Sequence, residues 1–320
     1  MNTNQSLRRL YLMWISRCLI IVASVLFLVV ACIPMDRRPE QHDLDFRDSE
    51  TWGKVVEKDL QLGEFCNITS QTSAEIKYFQ SDSFKVTVVG NEKAIDAYTI
   101  ELIDSEGPDG EMNKVLNVKA NRNYTRWTPA ILVNVYAPTL FGVSITGSGE
   151  FIIEDSIYIN DFHLNISGAG DAEMNTIYAE NVTIDMDGAG DLSLRKLKAD
   201  RLTANVSGAG DATFKKAKVK GEANFYTYGA GDIDGEVKAD HILAISTGAG
   251  GIELEVECKD ITAVSGGAGD VEIEGTTNVL RRSRAALGGI KTRHLKADEV
   301  LPVELNIEED TVKTNRLKKR

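Results

Sequence analysis

Five aspartates recur through the middle of this 320-residue chain, and each closes the same tetrapeptide, Gly-Ala-Gly-Asp. Carboxylate oxygens are the ligands that hard cations such as Ca²⁺ take in proteins, so a regular row of them could hold metal ions. The same row could be structural, because an aspartate beside a turn accepts hydrogen bonds from backbone amides and faces solvent. The five residues are Asp171, Asp191, Asp211, Asp232 and Asp270.

Of these two interpretations, we favour the structural one. Carboxylates on neighbouring repeats about 4.8 Å apart repel by about 1 kcal/mol in water and by roughly 3–4 kcal/mol at a dielectric of 20, so something must offset the repulsion. Calcium-binding solenoids with glycine-rich turns have nine-residue repeats, which makes them a loose analogy for this chain. Calcium is therefore kept as a hypothesis, and no other metal or cofactor is expected.

The other chemically active side chains show no catalytic pattern. The histidines do not have the spacing of metal ligands, and they do not share a position in the repeat. Metal and acid–base roles are therefore not expected. The histidines are His42, His163, His241 and His294. Exposed tyrosines could stack on sugars, but scattered tyrosines more often pack at edges and caps. They are Tyr158, Tyr178, Tyr226 and Tyr228.

The turns that carry the aspartates return at a nearly constant interval. Including two variants, they begin at residues 147, 168, 188, 208, 229, 248 and 267, so the spacings are 21, 20, 20, 21, 19 and 19 residues. A fixed period of this size indicates stacked supersecondary units. Glu150 and Gly251 take the place of the aspartate in the two variants. The turns also lack the Lys-Ser/Thr of a phosphate-binding loop. We interpret their glycines as serving sharp corners and the close approach of backbones between coils.

Within each repeat, apolar and polar residues alternate, as in residues 191–207. A period of two indicates half-buried strands, and interruptions at 195–196 and 200–201 mark corners. One such coil buries too little apolar surface to offset the ordering of about twenty residues, so coils must stack. Strands that follow one another in this way run parallel with right-handed crossovers. The sequence predicts an all-β fold, a right-handed parallel β-helix or close β-solenoid relative with coils of about 20 residues.

The first 31 residues have the features of an export signal. Three arginines precede an uncharged apolar run at 19–31 that is too short for a membrane span. The run ends in Val-Val-Ala-Cys, which is similar to a bacterial lipoprotein signal and predicts lipidation of Cys32. A plain secretory signal or an N-terminal membrane anchor is the alternative. A cysteine carrying several acyl chains would anchor the protein firmly at a membrane.

The remainder divides into a tether, one β-helix domain and a tail. A terminal segment that differs from the repeats is expected to cap a solenoid. The expected segments are a flexible tether at 32–50, irregular N-terminal coils and a cap at 51–140, the repeats at 141–275, the last coils and a cap at 276–306, and a disordered tail at 307–320.

Charge and cysteine content restrict the partners. The formal net charge of −12 becomes about −15 without the three signal arginines, which argues against a nucleic-acid partner. Beyond Cys18 in the signal and Cys32, only Cys66 and Cys258 remain, too few for a disulfide framework. Cys258 falls where other coils place alanine, which favours a small buried residue over a disulfide or a reactive thiol.

The lipoprotein-like signal, the stretch at 133–138 that runs into 144–149, and the serial Gly-Ala-Gly-Asp turns together resemble the family called putative auto-transporter adhesin, head GIN domain. The resemblance covers about residues 51–300. It implies a β-helical exported lipoprotein of Gram-negative bacteria, and it supplies no catalytic residues. The departures at Glu150 and Gly251 argue against a continuous aspartate-based site.

We therefore expect a non-enzymatic, lipid-anchored solenoid of the cell envelope, at the outer membrane or on the periplasmic face. It would act in adhesion, glycan binding or envelope structure, with a glycan or a protein surface as partner. The alternative is a carbohydrate-active enzyme, a polysaccharide lyase or hydrolase, since large β-helices host both. Such an enzyme needs paired carboxylates in a cleft, and repeats of nearly constant length leave no long loops to form one.

Overall fold

The computed structural model describes residues 49–106, 112–284 and 287–303. Within them the chain forms 21 strands and two four-residue helices, α1 (Ser49–Trp52) and α2 (Glu92–Ile95). Neither described helix is long and apolar enough to cross a bilayer. The strands build stacked parallel coils of about 20 residues, so the predicted β-solenoid is confirmed.

Two columns of parallel strands run through the stack. The first column follows the glycine turns and consists of β9 (Glu150–Tyr158), β11 (Asp171–Tyr178), β13 (Leu192–Ala199), β15 (Ala212–Val219) and the first halves of β17 (Ile233–Ser246), β18 (Ile252–Ser265) and β19 (Val271–Arg284). The second column leads into the turns and consists of β8 (Gly142–Ile145), β10 (Asp161–Ile166), β12 (Asn181–Met186), β14 (Arg201–Val206), β16 (Glu222–Thr227) and the second halves of β17, β18 and β19.

The register between coils follows the sequence period. Ala172 lies opposite Leu192 in the first column, and Val182 lies opposite Leu202 in the second. A register break separates Phe214 from Ala217 where β15 pairs with β17. This break falls at a predicted corner, where two consecutive lysines interrupt the alternation.

Inward-facing side chains of both columns form one continuous apolar core. In β13, Leu192, Leu194 and Leu197 are at most 2% exposed, whereas Lys198 points to solvent. The row that holds Val206 changes to hydroxyl residues in later coils, where Thr227, Ser246 and Ser265 are fully buried. The Ser246 Oγ donates a hydrogen bond to the Gly250 carbonyl at 2.7 Å, so its turn satisfies the buried hydroxyl.

The N-terminal strands do not stack in chain order. They are β1 (Val55–Leu60), β2 (Asn67–Ser70), β3 (Glu75–Gln80), β4 (Lys85–Asn91), β5 (Tyr98–Glu106), β6 (Met112–Ala120) and β7 (Leu132–Ala137). The coil of β2 and β3 pairs on one side with β8 and β9, and on its other side with β6 and β7. The coil of β2 and β3 thus lies between two coils that both follow it in the chain.

Antiparallel strands complete this N-terminal end. β4 pairs antiparallel with β7, β1 with β4, and β5 with β6. Added strands of opposite direction take up backbone groups of the outermost coil that would otherwise form an open sheet edge. Residues 55–137 therefore contain two parallel coils joined to an antiparallel cap.

The coils continue at the C-terminal end up to Pro302, although the sequence pattern weakens there. The arginine-rich stretch at 281–284 remains within β19, despite its charges. The last strands are β20 (Ile290–Lys291) and β21 (Leu295–Pro302), and both pair with β19. Leu295 lies opposite Gly275, in the row that contains Leu197.

Several expectations concern residues outside this description. The predicted signal at 1–31, Cys32, the tether up to residue 48 and the tail from 304 onward lie outside the described residues. His42 lies there as well. Lipidation of Cys32 accordingly stays a prediction from the sequence.

Candidate functional site

The repeated turns bring their glycines into two straight rows along one corner of the solenoid. A Cβ added to Gly188 would lie 1.9 Å from the carbonyl oxygen of Gly168, and one added to Gly190 would lie 1.8 Å from that of Gly170. The Ala189 amide donates to the same Gly168 oxygen at 2.9 Å. The coils approach so closely here that no side chain larger than hydrogen fits between them.

This close approach, rather than an unusual backbone conformation, is why the turns need glycine. Among the described residues only Gly53 and Gly275 have positive φ, and neither belongs to a repeated turn. The part of our interpretation that rested on glycine's conformational freedom at sharp corners is therefore wrong for these turns. Gly275, with φ of 101°, is the position in the later coils where that freedom is used.

The predicted aspartates form one row beside the glycines, and each carboxylate is bound to the next coil. The Asp191 backbone amide donates to the Asp171 Oδ1 at 2.7 Å, and the Asp211 amide donates to the Asp191 Oδ1 at 3.0 Å. The Asp232 amide donates to the Asp211 Oδ1 at 2.9 Å. Charge-assisted bonds of this kind offset the repulsion between neighbouring carboxylates.

The later part of this aspartate row departs from the regular pattern. The Gly251 amide donates to the Asp232 Oδ1 at 2.6 Å, so the variant turn still binds the preceding carboxylate. At the far end, the Lys291 Nζ lies 2.7 Å from the Asp270 Oδ2, and the Gly289 amide donates to the Asp270 Oδ1. Hydrogen bonds from Lys291 and then from Gly289 lower the pKa of Asp270. Calcium binding stays a hypothesis: in the described part of the chain, no group of three or more His, Cys, Asp or Glu is arranged to hold a metal ion.

A second set of carboxylates lines the first column beyond the aspartate row, and we name it the acidic face. Its members lie opposite one another on β17, β18 and β19. They are Asp234, Glu236, Glu253, Glu255, Glu272 and Glu274. Burial first, and then nearby carboxylates, raise the pKa of Asp234 to about 6. Those carboxylates belong to Asp232, Glu253 and Asp211.

In the described part of the chain, the histidines make no acid–base pair with a nucleophile. The His163 Nε2 lies 2.8 Å from the Asp185 Oδ2, and the His241 Nδ1 lies 2.6 Å from the Asp260 Oδ2. In each case the aspartate belongs to the next coil, and both contacts are on the outer surface. Like the carboxylates of the aspartate row, these histidine–aspartate contacts join neighbouring coils.

The two remaining cysteines are free and half-buried, and burial raises the pKa of both thiols. Cys258 lies opposite Ala239 and Thr277, in the row of small residues where the sequence placed it. Cys258 also borders an open depression of about 500 Å³. Two carboxylates of that depression are bound by lysines, since Lys259 contacts Asp240 and Lys238 contacts Glu257.

The tyrosines form two stacked pairs on the outer surface, which corrects our view of them as scattered. The rings of Tyr158 and Tyr178 lie opposite one another, with centroids 4.6 Å apart and planes inclined by 5°. Those of Tyr226 and Tyr228 are 6.0 Å apart and inclined by 4°. Tyr158 and Tyr178 are one period apart in the sequence, a signal that alignment of the repeats would have revealed.

Sequence reasoning missed a concentration of cations beside the first tyrosine pair. Lys198 lies opposite Tyr178, with its Nζ 5.2 Å from the ring centroid, and Lys218 lies opposite Lys198. Residues of the neighbouring corner line an open depression of about 600 Å³. They are Asn175, Thr176, Arg195, Lys196, Lys215 and Lys216. The spacing of 20 residues between Lys198 and Lys218, which equals one coil, is the sequence signal that could have indicated this concentration of cations.

Comparison with known proteins identifies a family model that matches this chain. The family model described as "Putative auto-transporter adhesin, head GIN domain" matches residues 64–234 and 224–302, which together make up most of the chain. No curated protein is similar enough to match.

Solved structures share the fold at low sequence identity. A putative adhesin from Bacteroides fragilis NCTC 9343 is 19% identical, with a TM-score of 0.56 over 75% of this chain and 97% of its own. A putative adhesin from Parabacteroides distasonis ATCC 8503 is 17% identical, with a TM-score of 0.57 over 78% and 97%. A putative lipid binding protein from the same organism is 17% identical, with a TM-score of 0.54 over 79% and 98%.

Proposed function

Because this chain belongs to the putative auto-transporter adhesin, head GIN domain family, we propose that it is a non-enzymatic, adhesin-like protein of the cell envelope. In this proposal the solenoid presents its outer surface to a glycan or protein partner, or contributes to envelope structure. A lipid on Cys32 holds it at the membrane.

The outer surface of the stack supports this proposal most directly. Each coil places one side chain in each outward row, and successive coils are about 4.8 Å apart. The rows are rigid, because backbone hydrogen bonds and bonds such as that from Asp191 to Asp171 fix each coil on the last. Surfaces of this kind are suited to extended partners, which contact many repeats at once.

The alternative of a carbohydrate-active enzyme has less support. Hydrolases of glycosidic bonds use a pair of carboxylates on either side of the substrate, usually in a cleft. The aspartate row is occupied by backbone amides, and lysines bind two of the carboxylates around the depression near Cys258. A family name does not exclude catalysis, so the test below includes it.

One of the similar solved structures is of a putative lipid binding protein, which suggests a different activity. The interior of this solenoid is filled by side chains, and Phe151, Phe214 and Phe225 are at most 1% exposed. We therefore assign lipid contact to the proposed anchor rather than to the interior of the coils.

The experiment that tests adhesion compares cells with and without the gene for this chain. Wild-type cells should bind immobilised glycans or host-cell surfaces that the deletion strain does not bind, and the full-length chain supplied on a plasmid should restore binding. The purified chain should release no reducing or unsaturated ends from the same glycans. Equal binding by both strains would remove the adhesion proposal, and release of sugar ends would favour the enzyme.

The anchor is tested separately by following a labelled fatty acid. The wild-type chain should incorporate labelled palmitate and remain with the membrane fraction, whereas Cys32→Ser should lose both the label and the membrane association. Cys66→Ser is the matched control, because it removes a cysteine from the folded domain and should leave the label in place. Retention of label by Cys32→Ser would show that Cys32 is not the lipidated residue.

A further inference from the structure

β13 and β15 carry six basic side chains on the outer surface. The Lys216 Nζ lies 3.8 Å from the Glu236 Oε2, and we name the other five the cationic patch. They are Arg195, Lys196, Lys198, Lys215 and Lys218. Four of them are exposed and Lys196 is half-buried. The patch stands out because the chain has 48 acidic and only 36 basic residues.

The patch lacks the acidic partners that lysines have elsewhere on the solenoid. Among the described residues, no carboxylate lies within 4 Å of Lys196, Lys215 or Lys218. The Arg195 Nη1 reaches only the Asn175 Oδ1, at 3.4 Å, and Lys198 lies over a tyrosine ring. Like charges one coil apart repel by about 1 kcal/mol even in water, and among the described residues no carboxylate in contact with Lys196, Lys215 or Lys218 offsets this.

Other lysines, on these two coils and on later ones, show the usual arrangement. The Lys220 Nζ lies 2.6 Å from the Asp200 Oδ1, and the Lys259 Nζ lies 2.7 Å from the Asp240 Oδ2. Lys238, which follows Lys218 in the same row, is bound by Glu257. On this part of the surface, lysines without a carboxylate partner are thus confined to the patch, which is the arrangement expected where an external anion binds.

The tyrosine pair extends the patch along the solenoid axis. One outward row contains Tyr158, Tyr178, Lys198 and Lys218 in successive coils. Tyr158 is 64% exposed, and neither phenol of the stacked pair has a hydrogen-bond partner among the described residues. The row therefore offers hydroxyl groups and aromatic surface at one end and positive charge at the other.

We propose that this row and the adjoining cationic patch bind an acidic polysaccharide, with sugar hydroxyl and C–H groups on the tyrosines and carboxylate or sulfate groups on the lysines. The open depression at the corner can seat part of a polymer but does not enclose a small ligand. The inference rests on the proposed function, because a protein at the cell surface is exposed to such polysaccharides.

A membrane surface fits the same charges less well. In the described part of the chain, Tyr158 is the only large, exposed apolar or aromatic residue of this row, so nothing beside the lysines would enter the acyl region of a bilayer. Nucleic acid is disfavoured by the net charge of −12. Both are nevertheless measured as competing outcomes.

The test measures binding of the full-length chain, purified in detergent, to polygalacturonate, which carries carboxylates, and to dextran sulfate, which carries sulfates. Neutral dextran is the negative control. If about four cations are engaged, affinity should fall by roughly 50-fold between 50 and 200 mM salt. Replacement of Lys196, Lys198, Lys215 and Lys218 by Gln should weaken binding by at least about tenfold.

A second variant controls for net charge. It replaces four lysines that already have acidic partners, and its affinity should stay within about twofold of wild type because distant surface charges are screened. The four are Lys58, Lys85, Lys114 and Lys119. Circular dichroism of both variants checks that each remains folded.

The tyrosine end of the row is tested on its own. Tyr158→Leu should weaken binding by roughly three- to tenfold, whereas Tyr228→Leu, at the other stacked pair, should have no effect. An equal loss in these two variants would contradict the assigned row.

Three results would overturn the inference: no binding of either acidic polymer, the same loss in both lysine variants, or equally tight binding of single-stranded DNA or, by the Cys32→Ser chain that lacks the proposed lipid, of anionic phosphatidylglycerol vesicles. None of these bears on the adhesion assay with whole cells. Loss of adhesion in the deletion strain together with unchanged adhesion in the lysine variant would leave the proposed function standing and remove this site.

Discussion

At the scale of single residues, the repeated turn combines two requirements that are both imposed by the neighbouring coil. The two glycines of each Gly-Ala-Gly turn leave room for the carbonyl oxygens of the preceding turn. In the turns from Gly168 to Gly269, those oxygens would lie within 1.8–2.2 Å of an added Cβ. The aspartates accept hydrogen bonds from backbone amides of the following coil. Both residue types therefore act between coils rather than within their own turn.

Gly190→Ala should destabilise the chain strongly, because its Cβ would lie 1.8 Å from the Gly170 carbonyl oxygen and the two coils would have to separate. We expect a loss of about 3 kcal/mol in the free energy of unfolding by urea. Gly251→Ala is the matched control, since its Cβ would be 3.1 Å from the nearest atom, and should cost less than about 1 kcal/mol. Similar losses in the two variants would contradict the close-approach explanation.

The aspartate row should not require calcium for stability. Because its carboxylates already bind backbone amides, the melting temperature of the full chain should differ by less than about 1 °C between chelator and millimolar calcium. A calcium-dependent rise that disappears in Asp191→Asn with Asp211→Asn would instead establish the row as a cation site.

At the scale of elements, parallel strands in register place like residues beside like residues. In the aspartate row and the histidine contacts, this produces bonds from coil to coil. On the acidic face it produces rows of carboxylates, as where Glu253 lies opposite both Asp234 and Glu272. The raised pKa of Asp234 is the local consequence, with burial as the larger cause.

Asp234→Asn should stabilise the chain at neutral pH. The folded pKa of about 6 exceeds the ordinary value of 3.8, so the folded state binds more protons between these pH values and stability falls as pH rises through that window. Since Asp234 is partly exposed, screening reduces the gain at pH 7.5 to about 1 kcal/mol. Thermal unfolding at pH 7.5 and at pH 3.5 should show this gain only at the higher pH.

The control for that variant is Asp240→Asn, at a carboxylate that Lys259 binds at 2.7 Å. It should leave stability unchanged or slightly lower it at pH 7.5, because an attractive pair is lost rather than a repulsion. If Asp240→Asn stabilised the chain as much as Asp234→Asn, the effect would reflect net charge rather than the acidic face.

At the scale of the whole molecule, stability comes from stacking, and the ends differ from the middle. Each interior coil contacts only its two neighbours, so the stack behaves as a one-dimensional array. Antiparallel strands β1, β4 and β5 close the N-terminal end around the coils of β2, β3, β6 and β7. The middle should accordingly tolerate the loss of a whole coil but not of part of one.

Deletion of residues 191–210 should give a folded, shorter solenoid. It joins Gly190 to Asp211, which recreates the Gly-Asp junction of every full turn and keeps both columns in register. The ellipticity per residue should be unchanged, and the melting temperature should fall by a few degrees as one interface is lost. Deletion of residues 191–200 removes half a coil and should abolish cooperative unfolding. Equal behaviour of the two deletions would contradict the stacked arrangement.

From the sequence alone, the coil length, the alternation of inward and outward residues and the position of the glycine corner could all be predicted. These features are local and recur with the period, so a correct register repeats itself at every coil. The same reasoning placed Cys258 in a row of alanines, opposite Ala239.

Only the tertiary structure decided the spatial order of the N-terminal coils, where β6 and β7 lie outside β2 and β3 although they follow them in the chain. It also decided which atoms meet between coils: carbonyl oxygen against glycine, carboxylate against amide, and lysine against tyrosine. The physical reason is that these contacts join residues about twenty positions apart, and their geometry depends on how one coil sits on the next. A period in the sequence specifies that coils stack, whereas the distances between them arise only from the packed chain.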